Sequence, residues 1–369
     1  MKMTYPNYQN SILNVTCSIL NYYHAPIYHP THPELDTWLN IKQPNHIIYL
    51  LLDGLGVNVI ERHLPQDAAM RRHLMMPITS VYPPTTVAAT TSVISGLSPL
   101  ESGHIGWVQY FRVEDTNLVV FQNKDFYNGR VPAEDLKEKY LSFASFYDQI
   151  KQASPHLETR EFFPSFKEGG SETFEEQIEK VLLATHNSDA SFNYVYWIEP
   201  DLSEHEFGTT SDEVATIVTS LNQSFSELMA NVTEDTAVIL IADHGLVDVD
   251  TIPLLEYDDI MSLLRQKPSI EPRTTTFFVQ DDAHALFQER FTRHFGQWFQ
   301  LYTTHEFLTS GLLGSGDIHP IYEQSLGDFV SVAIDTYMFG LHEGKGYKAH
   351  HAGLSDEEMM VPLIVYTKK

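Results

Sequence analysis
The sequence predicts an α/β fold with a mainly parallel central sheet and a smaller α+β subdomain inserted late in the chain. Three observations lead there. Ile47 to Leu52, Tyr194 to Ile198 and Ala237 to Ile241 are unbroken apolar runs of strand length, the pattern of strands buried on both faces. An amphipathic helix separates the second run from the third, so strand, helix and strand follow in the order of a right-handed crossover. Each run is followed within a few residues by an aspartate: Asp53, Asp201 and Asp243. Open α/β sheets bind ligands beyond the C-terminal ends of their strands, which is where these three fall.

The remaining elements follow in chain order. Thr86 to Ile94 is expected to form a short helix, presented by Pro83-Pro84 and stopped by a left-handed Gly96. In the crossover helix, Thr210 and Glu213 are expected to form the capping box. Val214, Ile217, Val218, Leu221, Phe225 and Leu228 make its apolar face. Val361 to Tyr366 reads as a further strand. The stretch from Ile252 to Asp335 interrupts this pattern with an aromatic-rich helical segment around Phe287 to Phe299, a glycine-rich Gly311–Gly316 loop and a strand-like Phe329 to Ile334. It is read as the inserted subdomain (252–335), leaving 1–251 and 336–369 as the core. The aromatics between Gln109 and Gly170 suggest cover over a site rather than sheet.

Composition narrows the function classes. With 49 acidic against 23 basic residues, the chain carries a formal charge of −26, which disfavours binding to nucleic-acid polymers or anionic membranes. An anionic substrate would need local positive charge, and bound cations can provide it. Cys17 is the only cysteine, so neither a disulfide framework nor a thiolate metal cage is available. The N-terminal stretch does not read as a signal peptide, and no apolar run approaches membrane-spanning length. The chain is expected to be cytoplasmic.

Five separated stretches carry the chemistry. Asp201 and His205 stand four apart, a spacing that sets a carboxylate and an imidazole on one helical face; a capping aspartate beside a surface histidine would look the same. Asp243 and His244 directly end an apolar run, where polar groups are costly to bury unless something pairs with them. Asp53 precedes Gly54-Leu55-Gly56, but no third glycine follows, and no Gly-Lys-Ser/Thr occurs nearby, so dinucleotide and Walker-type loops are excluded. His350-His351 offers an imidazole before small residues, and spacing does not decide which ring turns inward. Thr85 and Thr86 stand where a helix N-terminus favours anions. Three aspartates, three or four histidines and a hydroxyl are what two zinc-like ions and a nucleophile require.

In this order the motifs resemble the alkaline phosphatase superfamily, and most closely its nucleotide pyrophosphatase/phosphodiesterase (type I phosphodiesterase) branch. The resemblance runs from Asp53 to His351, through the threonine that opens a glycine-stopped helix, Pro-Asp-x-x-x-His and Asp-His-Gly. It implies a three-layer, alkaline phosphatase-like core in which Thr86 is the nucleophile. Asp201, His205 and His351 would hold one divalent ion, and Asp53, Thr86, Asp243 and His244 the other. His351 is preferred because Ala352-Gly353 best matches the family's pattern. Zinc is implied, and the oxygen and nitrogen ligands suit manganese as well. The implied reaction cleaves a phosphodiester or pyrophosphate bond of a nucleotide-like substrate through a covalent phosphothreonine. Alternatives are a phosphomonoesterase, a phosphonate hydrolase, a manganese-dependent phosphomutase or a metal-binding protein without turnover.

Two departures from the family pattern stand out. Nucleotide-hydrolysing relatives carry an asparagine about ten residues beyond the helix-stopping glycine, whereas this chain has His104-Ile105-Gly106-Trp107-Val108-Gln109. Gln109 is therefore expected to substitute, or else the oxyanion contact differs; Trp107, like Tyr110 and Phe111, is a candidate either for stacking on a substrate base or for packing a lid. The nucleophile also lacks the Ser-Arg setting of alkaline phosphatases, which weakens a monoesterase reading.

Overall fold
A computed structural model describes residues 2–342 and 346–368. Its centre is a six-stranded mixed sheet. His46–Leu52 lies in the middle, parallel to Ser191–Trp197 on one side and to Thr236–Ile241 on the other. All seven residues of His46–Leu52 are buried, which is why Ile47 to Leu52 is an unbroken apolar run rather than an alternating one. Glu158–Phe162 adds a parallel edge strand beside Ser191–Trp197. Met360–Thr367 pairs antiparallel with both Thr236–Ile241 and Leu74–Thr79 at the other edge. Register is what makes the site. Leu52 lies opposite Trp197 and Leu51 opposite Ile241, so the three parallel strands end at one level.

The crossover helix is Asp212–Asn231, and Val214, Val218, Leu221, Phe225 and Leu228 are buried along it as expected. Its cap differs. Ser211, not Thr210, is the N-cap, and its hydroxyl accepts the Val214 N–H. Glu213 is then one position too early to close a box, so the Thr210–Glu213 reading is corrected by one residue. Thr86–Ser95 is helical with Gly96 left-handed at φ 72°, as its sequence requires.

A second sheet of seven antiparallel strands stands beside the first. Four strands come from the later stretch: Phe299–Thr303, Phe329–Ala333, Thr274–Val279 and Leu264–Ile270. Three more follow from the earlier one: Val108–Phe111, Thr116–Val119 and Lys124–Asp125. The expectation that Gln109 to Gly170 covers the site rather than building sheet is therefore corrected. Its strands are short and buried on both sides, so they show no alternation, and the edge strand Glu158–Phe162 is largely polar and partly exposed. Phe287, Phe291 and Phe295, four apart on the helix His284–Phe295, pack on the later strands.

One buried ion pair ties the second sheet to the end of the chain. Arg273 Nε and Nη2 donate to the two oxygens of Glu358 at 2.7 and 2.8 Å, with both side chains fully buried. Glu358 also accepts the Gly353 and Ser355 N–H groups, so the pair fixes the turn that follows His350-His351.

Candidate metal centre and cavity
Asp53 is the first residue beyond its strand, and its N–H donates to the Trp197 carbonyl at 2.9 Å. The next residue decides the approach. Gly54 has φ 76°, and its N–H donates to Asp243 Oδ1 at 3.2 Å. A Cβ on Gly54 would lie 2.7 Å from the Asp201 Cα, so a side chain there would force the strand ends apart. Asp201 opens the helix Asp201–Phe207 and donates its own N–H to the Asp53 carbonyl at 3.1 Å. Asp53 and Asp201 are thus fastened to each other through backbone, and Asp243 joins them through its carboxylate on Gly54.

The imidazoles close around them. His244 Nδ1 lies 3.2 Å from the Gly245 carbonyl, which makes Nδ1 the donor and turns Nε2 toward the aspartates. That Nε2 is 3.4 Å from Asp53 Oδ1, 3.6 Å from Asp243 Oδ2 and 3.2 Å from Thr86 Oγ1. His205 is oriented the same way, with Nδ1 donating to the Ala349 carbonyl at 2.9 Å and Nε2 3.4 Å from Asp201 Oδ1. Such second partners fix ring orientation in metal sites. His351 stacks on His244 with ring centres 3.9 Å apart, and its Nε2 is 3.9 Å from Asp201 Oδ1. His350 is also buried and lines the adjoining cavity, with its Nδ1 taken up by the His351 backbone.

Whether these residues suit cations can be read from what they lack. Asp53 Oδ1, Asp201 Oδ1 and Asp243 Oδ2 are buried and have no hydrogen-bond partner among the described residues. Burial, and then the neighbouring Asp243 and Asp201 charges, hold the Asp53 carboxyl well above the usual carboxylate range. Burial also raises the Asp243 carboxyl, against the opposing influence of His244. Burial and the adjacent imidazoles push His351 well below the usual histidine range. Orphaned carboxylate oxygens facing imidazole nitrogens are what divalent ions satisfy. Ligand atoms of Asp53, Asp243 and His244 fall within 4.8 Å of one another, as do those of Asp201, His244 and His351. The residues fit the group.

Thr86 heads its helix beside this cluster. Thr85 is the N-cap residue, but its hydroxyl does not cap; it donates to Glu271 Oε1 at 2.5 Å. From Thr86 a cavity of about 520 Å³ extends past Trp107, Tyr347 and His205 toward the second sheet. Trp107 lies on its wall. Gln109 does not: it is buried, with Oε1 accepting the Ile105 N–H and Nε2 donating to the Gly103 carbonyl. Three neighbours of the site went unread in the sequence. Tyr196 donates its hydroxyl to Asp53 Oδ2, Ser80 donates to the Asp243 carbonyl, and Glu271 lines the cavity. Burial raises the Glu271 carboxyl to about 7. Tyr196 and Ser80 lie in buried stretches of hydrophobic character, and Glu271 follows a strand of the second sheet, so nothing local marked them.

An α/β core that gathers carboxylates and imidazoles beside one hydroxyl at its strand ends defines a protein of the alkaline phosphatase-like fold with a candidate metal centre. The particular family follows from comparison. The type I phosphodiesterase / nucleotide pyrophosphatase model matches residues 47–351, and the chain belongs to that family. Among curated proteins it is similar to the bis(5'-adenosyl)-triphosphatase ENPP4 of Pongo abelii, 23% identical over 232 residues, covering 58% of this chain and 50% of that protein. The Homo sapiens protein of the same name is 22% identical over 232 residues, with the same coverage. The chain spans about half the length of these relatives. Among solved structures, murine ectonucleotide pyrophosphatase / phosphodiesterase 5, as an inactive variant in complex with AMP, aligns with TM-score 0.65 at 13% identity. That alignment covers 86% of this chain and 87% of the other. The human protein aligns with TM-score 0.66 at 12% identity, covering 87% of each chain. These alignments bear out the alkaline phosphatase-like fold read from the motifs. Among the described residues, no helix is long and apolar enough to cross a membrane.

Proposed function
We propose that this chain hydrolyses the phosphodiester or pyrophosphate bond of a small, nucleotide-like substrate, with Thr86 as nucleophile and two divalent ions, zinc in the first instance, as cofactors. The observation that carries the reading is the set of three unpartnered carboxylate oxygens and three imidazoles gathered at the strand ends, with the Thr86 hydroxyl 3.2 Å from His244 Nε2. Asp201, His205 and His351 would hold one ion; Asp53, Asp243, His244 and Thr86 would hold the other. Bound there, the ions would supply Lewis acidity, lowering the pKa of the hydroxyl and offsetting charge on the phosphoryl oxygens.

The chain's own residues do the rest. Thr86 Oγ attacks phosphorus in line, forming a bond to phosphorus as the bond to the leaving oxygen breaks, and a covalent phosphothreonine results. Water then displaces Thr86 from the opposite side. Because Thr85 gives its hydroxyl to Glu271, it leaves the first-turn N–H groups of the Thr86–Ser95 helix open toward a phosphoryl oxygen. This is the contact that would replace the missing asparagine, since Gln109 is committed to the Gly103–Ile105 turn.

The test is turnover of bis-p-nitrophenyl phosphate against p-nitrophenyl phosphate, with metal content measured on the same sample. Faster cleavage of the diester supports the proposal. Preference for the monoester would move the chain to a phosphomonoesterase. An inert protein that nevertheless holds two ions would make it a binder.

A further inference from the structure
Any diester reacting at Thr86 must lay one of its two substituents along the cavity, whose lining runs from Thr86 to Phe126 and Phe339. The charge of that lining is one-sided. Its carboxyls are Asp201 and Glu271, and no lysine or arginine is present among its described residues. Asp201 turns toward His205 and His351 and belongs to the metal centre. Glu271 does not. It is 2% exposed and has no ion-pair partner among the described residues. Its Oε1 accepts both the Thr85 hydroxyl at 2.5 Å and the Trp107 N–H at 2.7 Å, so Oε2 is the oxygen left for a ligand. Arg273, two residues along, could not neutralise it, because its guanidinium is committed to Glu358 and to the Asp335 and Tyr337 carbonyls.

We propose that Glu271 selects the charge of the substituent this cavity admits: a neutral or cationic group enters, and an anionic one is turned away. The inference rests on the phosphodiesterase reading above. An anionic arm would stand in a cleft of low dielectric, walled by Trp107, Phe126 and Phe339, against a carboxylate that no lysine or arginine among the described lining residues offsets. A neutral aromatic arm can instead pack on those rings, and a donor on it can reach Oε2. Exclusion by an unpaired like charge is a common source of specificity. The substrate class is therefore a phosphodiester whose cavity-side alcohol carries no further phosphate or carboxylate.

Symmetric diesters make the test independent of which arm enters. Metal-loaded protein is assayed at a pH well above 7, where Glu271 is ionised, on bis-p-nitrophenyl phosphate and on bis(4-carboxyphenyl) phosphate, as wild type, Glu271→Gln and Thr85→Val. Glutamine keeps an acceptor for Thr85 and Trp107 but loses the charge, whereas Thr85→Val breaks one bond and keeps it. The ratio of kcat/KM, anionic over neutral diester, is expected to rise about tenfold or more in Glu271→Gln, through KM, and to stay at the wild-type value in Thr85→Val. Calorimetric binding of the same two diesters to metal-loaded Thr86→Ala protein reads the preference without turnover. There the neutral diester is expected to bind tighter, and adding Glu271→Gln to narrow the gap. Equal ratios in wild type and Glu271→Gln, by rate or by binding, would overturn the inference. A metal-replete wild type that cleaves neither diester yet binds with the expected preference would instead refute the hydrolase reading and leave the charge selection standing.

Discussion

Replacing Arg273 by methionine tests how the fold holds the histidine turn. The guanidinium makes four hydrogen bonds, two to Glu358 and one each to the Asp335 and Tyr337 carbonyls, all between 2.7 and 2.9 Å. Both partners of the ion pair are fully buried. Without Arg273, Glu358 keeps the Gly353 and Ser355 N–H groups but no positive charge, and two carbonyls lose their donor. Breaking a buried pair from one side costs about 3–5 kcal/mol, because the remaining charge is left uncompensated. Against a total stability of roughly 5–15 kcal/mol, that is a large fraction. Urea unfolding followed by tryptophan fluorescence would measure it. Arg273→Met combined with Glu358→Gln is expected to recover at least half of the loss, since glutamine removes the orphaned charge. Because Gly353 follows His351 by two residues, the single variant should also hold its metal less tightly in a chelator competition. A loss below about 1 kcal/mol would refute the claim that this pair anchors the turn.

Three other outcomes are expected. Thr86→Ala should lose orders of magnitude in diester turnover while metal content and fold persist, and Thr85→Ala far less; the reverse ranking would move the nucleophile by one residue. In chelated protein, Asp53 and Asp243 bind their protons more tightly folded than unfolded, so stability should fall as pH rises from about 4 toward their raised folded values. Asp53→Asn should flatten that fall, and urea midpoints that climb with pH in chelated wild type would contradict it. Trp107→Ala should raise KM for aryl diesters several-fold with metal content unchanged; loss of metal instead would place Trp107 in the metal centre rather than on the cavity wall.

Much of the centre was legible because its parts obey strong local rules. Asp53 and Asp243 follow buried apolar runs whose parallel pairing brings their ends level, and Asp201 lies four residues beyond Trp197, fastened back to the Asp53 carbonyl. Gly96 marked the end of the threonine helix because only a left-handed residue stops it there. Other features depended on distant partners. Ser211 and Thr210 are both competent caps, and only the chain's approach to the helix chooses between them. Val108–Phe111 becomes a strand through pairing with Thr116–Val119 and with Ile270, more than a hundred and fifty residues away. Gln109 looked like a substitute for asparagine, yet the turn at Gly103–Ile105 takes both ends of its amide. Glu271 gave no sign, since its importance comes from Thr85 and Trp107, neither of them near it in sequence.

The most direct test of the account is elemental analysis of wild-type protein purified without chelator. Six side chains from four separate stretches of chain, with three orphaned carboxylate oxygens among them, predict close to two divalent ions per chain. Asp243→Ala should lower that number, since it removes one of those oxygens. A wild type that carries no divalent metal, and takes up none when zinc or manganese is supplied, would contradict the central claim.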